Sequence, residues 1–135
     1  DNREATMRVA SAFRGREEES TNLELKACDP TCNPYLALGG LIHAGLDGIR
    51  RGLEPPEPSR IDPARMTPEE RERCGITPLP GTLPDALNAL EADPVLYGSL
   101  GDLLGPAMLA IRRAEHEYLE AMGPDAARRA HLDIF

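Results

Sequence analysis

Cysteine, basic charge and long apolar runs are all scarce in this sequence. Three cysteines in 135 residues, Cys28, Cys32 and Cys74, are too few and odd in number for a disulfide-stapled scaffold, so reduced thiols are expected. Cys28 and Cys32 make only one close pair, whereas a structural zinc site usually shows two; small buried thiols beside a helix entry are the simpler expectation. With 15 basic against 23 acidic residues the formal net charge is -8, which repels phosphate backbones and excludes non-specific nucleic-acid binding. No apolar run reaches the roughly 18 residues that span a bilayer, and DNREATMR has no signal-peptide core. A soluble, cytoplasmic chain without a membrane partner is expected. Gly-x-Ser-x-Gly, a phosphate-binding glycine loop and His-Glu-x-x-His are absent too.

What is present suits one compact unit: 135 residues, 41% of them hydrophobic. The chain opens without methionine in a strand-like pattern, as an excised piece of a longer protein would. Alternation over 4–13 predicts a strand with Ala5, Met7, Val9 and Phe13 on its buried side. RGREEES, residues 14–20, reads as a connection to a second strand, Thr21 to Ala27, with Leu23 and Leu25 toward the core. Asn22, Glu24 and Lys26 then share the other face, where Arg8 joins them if the strands run antiparallel.

Asn33 before Pro34 is an N-cap with proline at the first helical position, and Gly52 is a C-terminal stop. Between them Leu38, Leu41, Ile42, Gly45, Leu46 and Ile49 recur at helical spacing, and the first turns are apolar on all sides, which predicts a buried helix start. Residues 53–81 hold more than half of the thirteen prolines and read as a connector, interrupted at Thr67–Glu70 by a capping box. Helices are expected from Thr82 to about Ala92, briefly after Asp93–Pro94, and from about Asp102 to Met122. The last has its stripe at Leu104, Ala107, Met108, Ile111, Tyr118, Leu119 and Met122. A final helical turn docks through Leu132, Ile134 and Phe135. The fold class is α+β: a short antiparallel β element, then about four helices around helix 34–51.

Chemistry-bearing residues concentrate at the start. His43 has no Ser, Cys or Asp partner that spacing assigns to it, so a solvated or locally bonded ring is expected. Arg3, Arg8, Glu24 and Lys26 lie on two neighbouring strands. Cross-strand ion pairing is one account of them. Holding Mg²⁺ or Mn²⁺ against an anionic triphosphate is the other, since hard cations take oxygen ligands and guanidinium forks match phosphate oxygens.

Several motifs in order, Asn2-Arg3-x-Ala5-x-x-Arg8, Leu23-Glu24-Leu25, Asp29-x-x-x-Asn33-Pro34-Tyr35-Leu36-Ala37 and Ala44-Gly45-Leu46-Asp47-Gly48, resemble the C-terminal part of the glutamine synthetase catalytic domain. Leu79-Pro80-x-x-Leu83-x-x-Ala86-Leu87-x-x-Leu90-Glu91-x-Asp93 and Leu100-Gly101 before a long helix with Glu115 continue the match over nearly the whole chain.

That resemblance implies an ATP-dependent carboxylate–amine ligase that forms γ-glutamyl phosphate and passes the acyl group to ammonia or another amine. It implies Arg3 as catalytic and, with Arg8, ATP-binding; Glu24 as ligand to Mg²⁺ or Mn²⁺; and Lys26 as substrate-binding. Residues 1–32 would carry the site and 33–135 the helical region of one catalytic domain, with the remainder of the same protein as partner in a large homo-oligomer. The family reads Arg-x-Glu-x-Arg where this chain has Asn22-Leu23-Glu24-Leu25-Lys26. Asn22 brings no charge, and Lys26 brings charge without a bidentate fork. The substrate amino acid or amine is therefore open, as in γ-glutamyl ligases of the glutamine synthetase type, and a catalytically silent binding or assembly module is the alternative. Alone, the 135 residues are expected to be inactive.

Overall fold

The computed structural model describes residues 2–134, and side chains as far as Leu132. It is α+β as expected: two short antiparallel strands followed by a mainly helical region. The Cα traces gather into two compact units where one was expected, Asp1–Cys32 with Glu54–Pro78, and Asn33–Leu53 with Leu79–Phe135.

In the first unit, β1 (Met7–Val9) pairs antiparallel with β2 (Leu23–Leu25), setting Met7 opposite Leu25, Arg8 opposite Glu24 and Val9 opposite Leu23. Lys26 N–H to the Thr6 carbonyl (2.8 Å) and Ala10 N–H to the Asn22 carbonyl (3.2 Å) continue the ladder one pair further at each end. Both strands are shorter than the alternation predicts. Each has one neighbour among the described residues, and strand geometry persists only where a partner takes its hydrogen bonds. The connection between them contains a single helical turn, α1 (Glu17–Ser20). Burial follows expectation only in part: Ala5 and Leu25 are half-buried, but Met7, Val9, Phe13 and Leu23 are exposed, and Arg8 and Glu24 of the other face are half-buried. The proline-rich connector folds locally into a 3-10 turn, Pro63–Arg65, capped by Asp62, and into α2 (Pro68–Arg73). Thr67 and Glu70 complete the expected reciprocal capping box.

The second unit begins with α3 (Pro34–Arg51). Asn33 Oδ1 accepts the Tyr35 and Leu36 N–H groups, and Gly52 closes the helix at φ 61°, a left-handed conformation suited to glycine. Then follow α4 (Leu83–Ala92), α5 (Pro94–Ser99), α6 (Gly101–Met122) and α7 (Pro124–Ile134). Thr82 and Asp93 cap α4 and α5 as their positions predict. The expected centre on helix 34–51 is corrected: α4, α5 and α6 pack mutually, and the two buried apolar side chains among the described residues, Leu87 and Leu109, sit on α4 and α6. α3 packs on α5, no residue of α3 is buried, and Tyr35 in its supposedly buried first turn is 86% exposed.

Which stripe of each helix turns inward also differs. On α6 the covered positions are Gly105, Leu109, Arg112, Arg113, Glu115 and His116 together with Met108 and Leu119 of the expected stripe, whereas Leu104, Ile111, Tyr118 and Met122 are exposed. Gly105 lies on this covered side against α5, where a β-carbon would stand 3.1 Å from the Tyr97 ring, a tight contact that a larger residue could make only if the ring gave way by a few tenths of an ångström. On α3 the small residues Ala37 and Gly40 and the half-buried Leu36, Leu41 and Asp47 lie on the covered side, and Leu38, Ile42, Leu46 and Ile49 are exposed. Arg113 of α6 bridges to Asn88 (3.3 Å) and Glu91 (2.5 Å) of α4. Leu132 is exposed rather than docked, and the expected docking of the Ile134 side chain and Phe135 lies outside the described residues.

Candidate functional site

The site residues expected from sequence gather in the first unit. β1 and β2 bring Arg8 and Glu24 directly opposite each other, and Arg8 Nη2 donates to Glu24 Oε1 at 3.2 Å. Their side chains are 19% and 43% exposed, so the guanidinium is largely covered while the carboxylate keeps a solvent-facing side. The bond uses one of the two Glu24 oxygens. A charge-assisted cross-strand contact of this kind orients both groups.

Arg3 lies just before β1 in the turn Asn2–Ala5, closed by Ala5 N–H to the Asn2 carbonyl at 3.4 Å. Its side chain is exposed and meets no partner among the described residues. Lys26 follows β2 and donates through Nζ to the Arg3 carbonyl, so the ammonium and the turn are joined. Asn22, at the other end of β2, spends an amide N–H on the Ser20 carbonyl at 3.0 Å. The two strands and one turn therefore place two guanidinium groups, one carboxylate and one ammonium on the same small β element.

Asp29 introduces the turn toward α3 by accepting the Thr31 hydroxyl (2.5 Å) and N–H (2.7 Å). Those two bonds, the hydroxyl's foremost, hold its carboxyl below the usual range. The cysteines are all free and exposed, correcting the expected buried thiols. His43 is exposed, with Nδ1 3.1 Å from the Gly39 carbonyl, a local contact of the expected kind. Among the described residues no three His, Cys, Asp or Glu side chains are grouped so that they could hold a metal ion. Since a hard divalent cation takes about six oxygen ligands, the Glu24 carboxylate fits such a site only as one contributor. Sequence reasoning missed the side chain of Asn2. It accepts the Glu4 N–H at 3.0 Å and donates to the Ser59 and Ile61 carbonyls, both at 3.2 Å. Asparagine ahead of a turn was the available signal for the first bond; nothing local announces the other two.

The sequence model of the family described as "Glutamine synthetase, catalytic domain" matches residues 1–129. The chain belongs to the glutamine synthetase catalytic-domain family. Among its relatives, a γ-glutamylpolyamine synthetase of Streptomyces coelicolor is 37% identical over 131 residues, 97% of this chain and 28% of that protein. A glutamine synthetase of Methanocaldococcus jannaschii is 43% identical over 114 residues, 84% of this chain and 24% of that protein. One from Thermus thermophilus is 42% identical over 114 residues, 84% of this chain and 25% of that protein. The chain thus spans about a quarter of the length of these glutamine synthetase relatives. No helix among the described residues is long and apolar enough to cross a membrane.

Proposed function

We propose that the chain is the C-terminal portion of the catalytic domain of an ATP-dependent carboxylate–amine ligase, with residues 1–32 carrying site groups and 33–135 the helical region. The observation that carries this reading is the Arg8–Glu24 pair set beside the exposed Arg3 in a member of this family. In the proposed reaction an oxygen of the substrate γ-carboxylate attacks the terminal phosphorus of ATP and ADP leaves. Ammonia or another amine then attacks the acyl carbon, expels phosphate and loses a proton. Such phosphoryl transfer depends on positioning and charge neutralisation.

Arg3, whose side chain is exposed and meets no partner among the described residues, neutralises the moving phosphoryl group and ATP oxygens. Arg8, largely covered and bonded to Glu24, orients that carboxylate and lends positive charge to the nucleotide phosphates. Glu24 would hold Mg²⁺ or Mn²⁺ as one carboxylate ligand, and the ion would supply charge neutralisation for the nucleotide phosphates. Lys26 contributes positive charge for a substrate carboxylate; its bond to the Arg3 carbonyl uses one of three ammonium donors. The name of the Streptomyces relative, a γ-glutamylpolyamine synthetase, supports an organic amine as acceptor beside ammonia.

The remaining ligands come from the remainder of the same protein, in a cytoplasmic homo-oligomer. That remainder also covers the exposed apolar faces of α3 (Leu38, Ile42, Leu46, Ile49) and α6 (Leu104, Ile111, Tyr118, Met122). The deciding experiment is ADP release by the full-length protein across a panel of amino acids and amines, with the isolated chain in parallel. Full-length protein should release ADP with glutamate and at least one amine, and the isolated 135 residues should ligate nothing and bind a hydrophobic dye. Silence of the full-length protein across the panel overturns the ligase reading; an active, dye-silent isolated chain overturns the need for the remainder.

A further inference from the structure

The turn that carries Arg3 is tied down more thoroughly than an exposed turn requires. Within the first unit the Asn2 carboxamide makes three hydrogen bonds: Oδ1 accepts the Glu4 N–H, and Nδ2 donates its two hydrogens to the Ser59 and Ile61 carbonyls. The Ile61 carbonyl also accepts the Ser59 hydroxyl at 2.9 Å, and Asp62, next in the chain, caps the 3-10 turn at Ala64 N–H, 2.9 Å away. The acceptors therefore belong to a segment with fixed backbone of its own. On the other side, Lys26 holds the Arg3 carbonyl to the end of β2. The backbone of Arg3 is thus held before, at and after the residue, while its guanidinium meets no partner among the described residues.

Few side chains can do what Asn2 does. Aspartate has the acceptor but no hydrogens for two carbonyls; serine has one hydrogen; glutamine has the same groups one methylene further out. We propose that Asn2 is a positioning residue, whose carboxamide ties the Arg3 turn to the connector at 59–61 so that the guanidinium is presented to the transferring phosphoryl group in one place. The inference rests on the phosphate role proposed above for Arg3. Its physical basis is that misplacement of a reacting or charge-neutralising group by about 1 Å can cost about a hundredfold in rate.

The test uses the full-length ligase with Asn2→Ser, which keeps an acceptor for Glu4 N–H and loses the paired donors, alone and combined with Arg3→Lys. Expected is a fall in kcat of about tenfold or more, with KM for the amino-acid substrate unchanged. Deuterium uptake should rise in peptides covering residues 2–9 and 57–62 and stay unchanged in α4 and α6. In the Arg3→Lys background the added Asn2→Ser should change kcat less than about twofold, because residues acting through one group are not additive. Full kcat despite raised local exchange, or a loss that multiplies onto that of Arg3→Lys, overturns the proposal. Loss of protection throughout the protein also overturns it, by making Asn2 a general folding residue. Unaltered turnover of Arg3→Lys itself removes the phosphate role and this inference with it; impaired Arg3→Lys beside an intact Asn2→Ser removes the positioning role alone.

Discussion

Replacing Glu24 by glutamine in the full-length ligase separates the two uses open to the cross-strand pair. As an ion pair, Arg8–Glu24 spans 3.2 Å with the carboxylate side chain 43% exposed, so solvent screens much of its Coulomb energy. Pairs of this exposure contribute about 0.2–1 kcal/mol, and the amide oxygen of glutamine can still accept from Arg8. The expected thermal shift is small, about 2–4 °C for each kcal/mol in a protein of moderate size. As a metal ligand the same residue matters far more. Changes to groups that merely support a ligand weaken metal binding by about 10–100-fold. Removal of a ligating carboxylate charge should therefore weaken it by at least about 100-fold, or about 2.7 kcal/mol. The assay is a Mn²⁺ titration followed by the resonance of the free ion, with thermal melts of the same samples. Mn²⁺ affinity within about threefold of the parent, together with a lowered melting temperature, would refute the metal role and leave the ion pair as the whole account.

Two further expectations concern the helical unit. Leu109 is 3% exposed, so Leu109→Ala in the full-length protein should lose about 2–5 kcal/mol by denaturant unfolding; a loss below about 1 kcal/mol would show that its site collapses around the smaller residue. The Glu91 carboxyl lies below its usual range chiefly through the hydrogen bond from Arg113. A carboxyl depressed in the folded state contributes stability above the unfolded value, near 4.5, and loses it as pH falls through the folded value. Melts at pH 6 and pH 3.5 should therefore show a larger acid loss for the parent than for Arg113→Met; equal losses would contradict this linkage.

Much of the secondary structure was legible because it is decided locally. Asn33, Thr67, Thr82 and Asp93 each cap a helix within three residues of themselves, and Gly52 ends one by its own backbone freedom, so short stretches sufficed to place these boundaries. Alternation put Glu24 on a face with Asn22 and Lys26, which Arg8 joins given the antiparallel pairing, and the motif order disclosed the family. Strand length was not legible. Extended residues stay in a ladder only where a partner faces them, and that depends on residues elsewhere in the chain. Apolar periodicity also misled on α6, where residues suited to burial surround much of the helix and periodicity cannot rank two apolar faces.

The sequence by itself determined where helices start and stop, which charged residues share a strand face, and the family, since each follows from neighbours in the chain or from residue order. Only the tertiary structure decided that Gly105 packs closely against Tyr97, that Arg8 meets Glu24 in register, and that the Asn2 carboxamide spans to residues 59 and 61. Those three depend on contacts between distant segments, whose geometry is set by packing and by long-range hydrogen bonds.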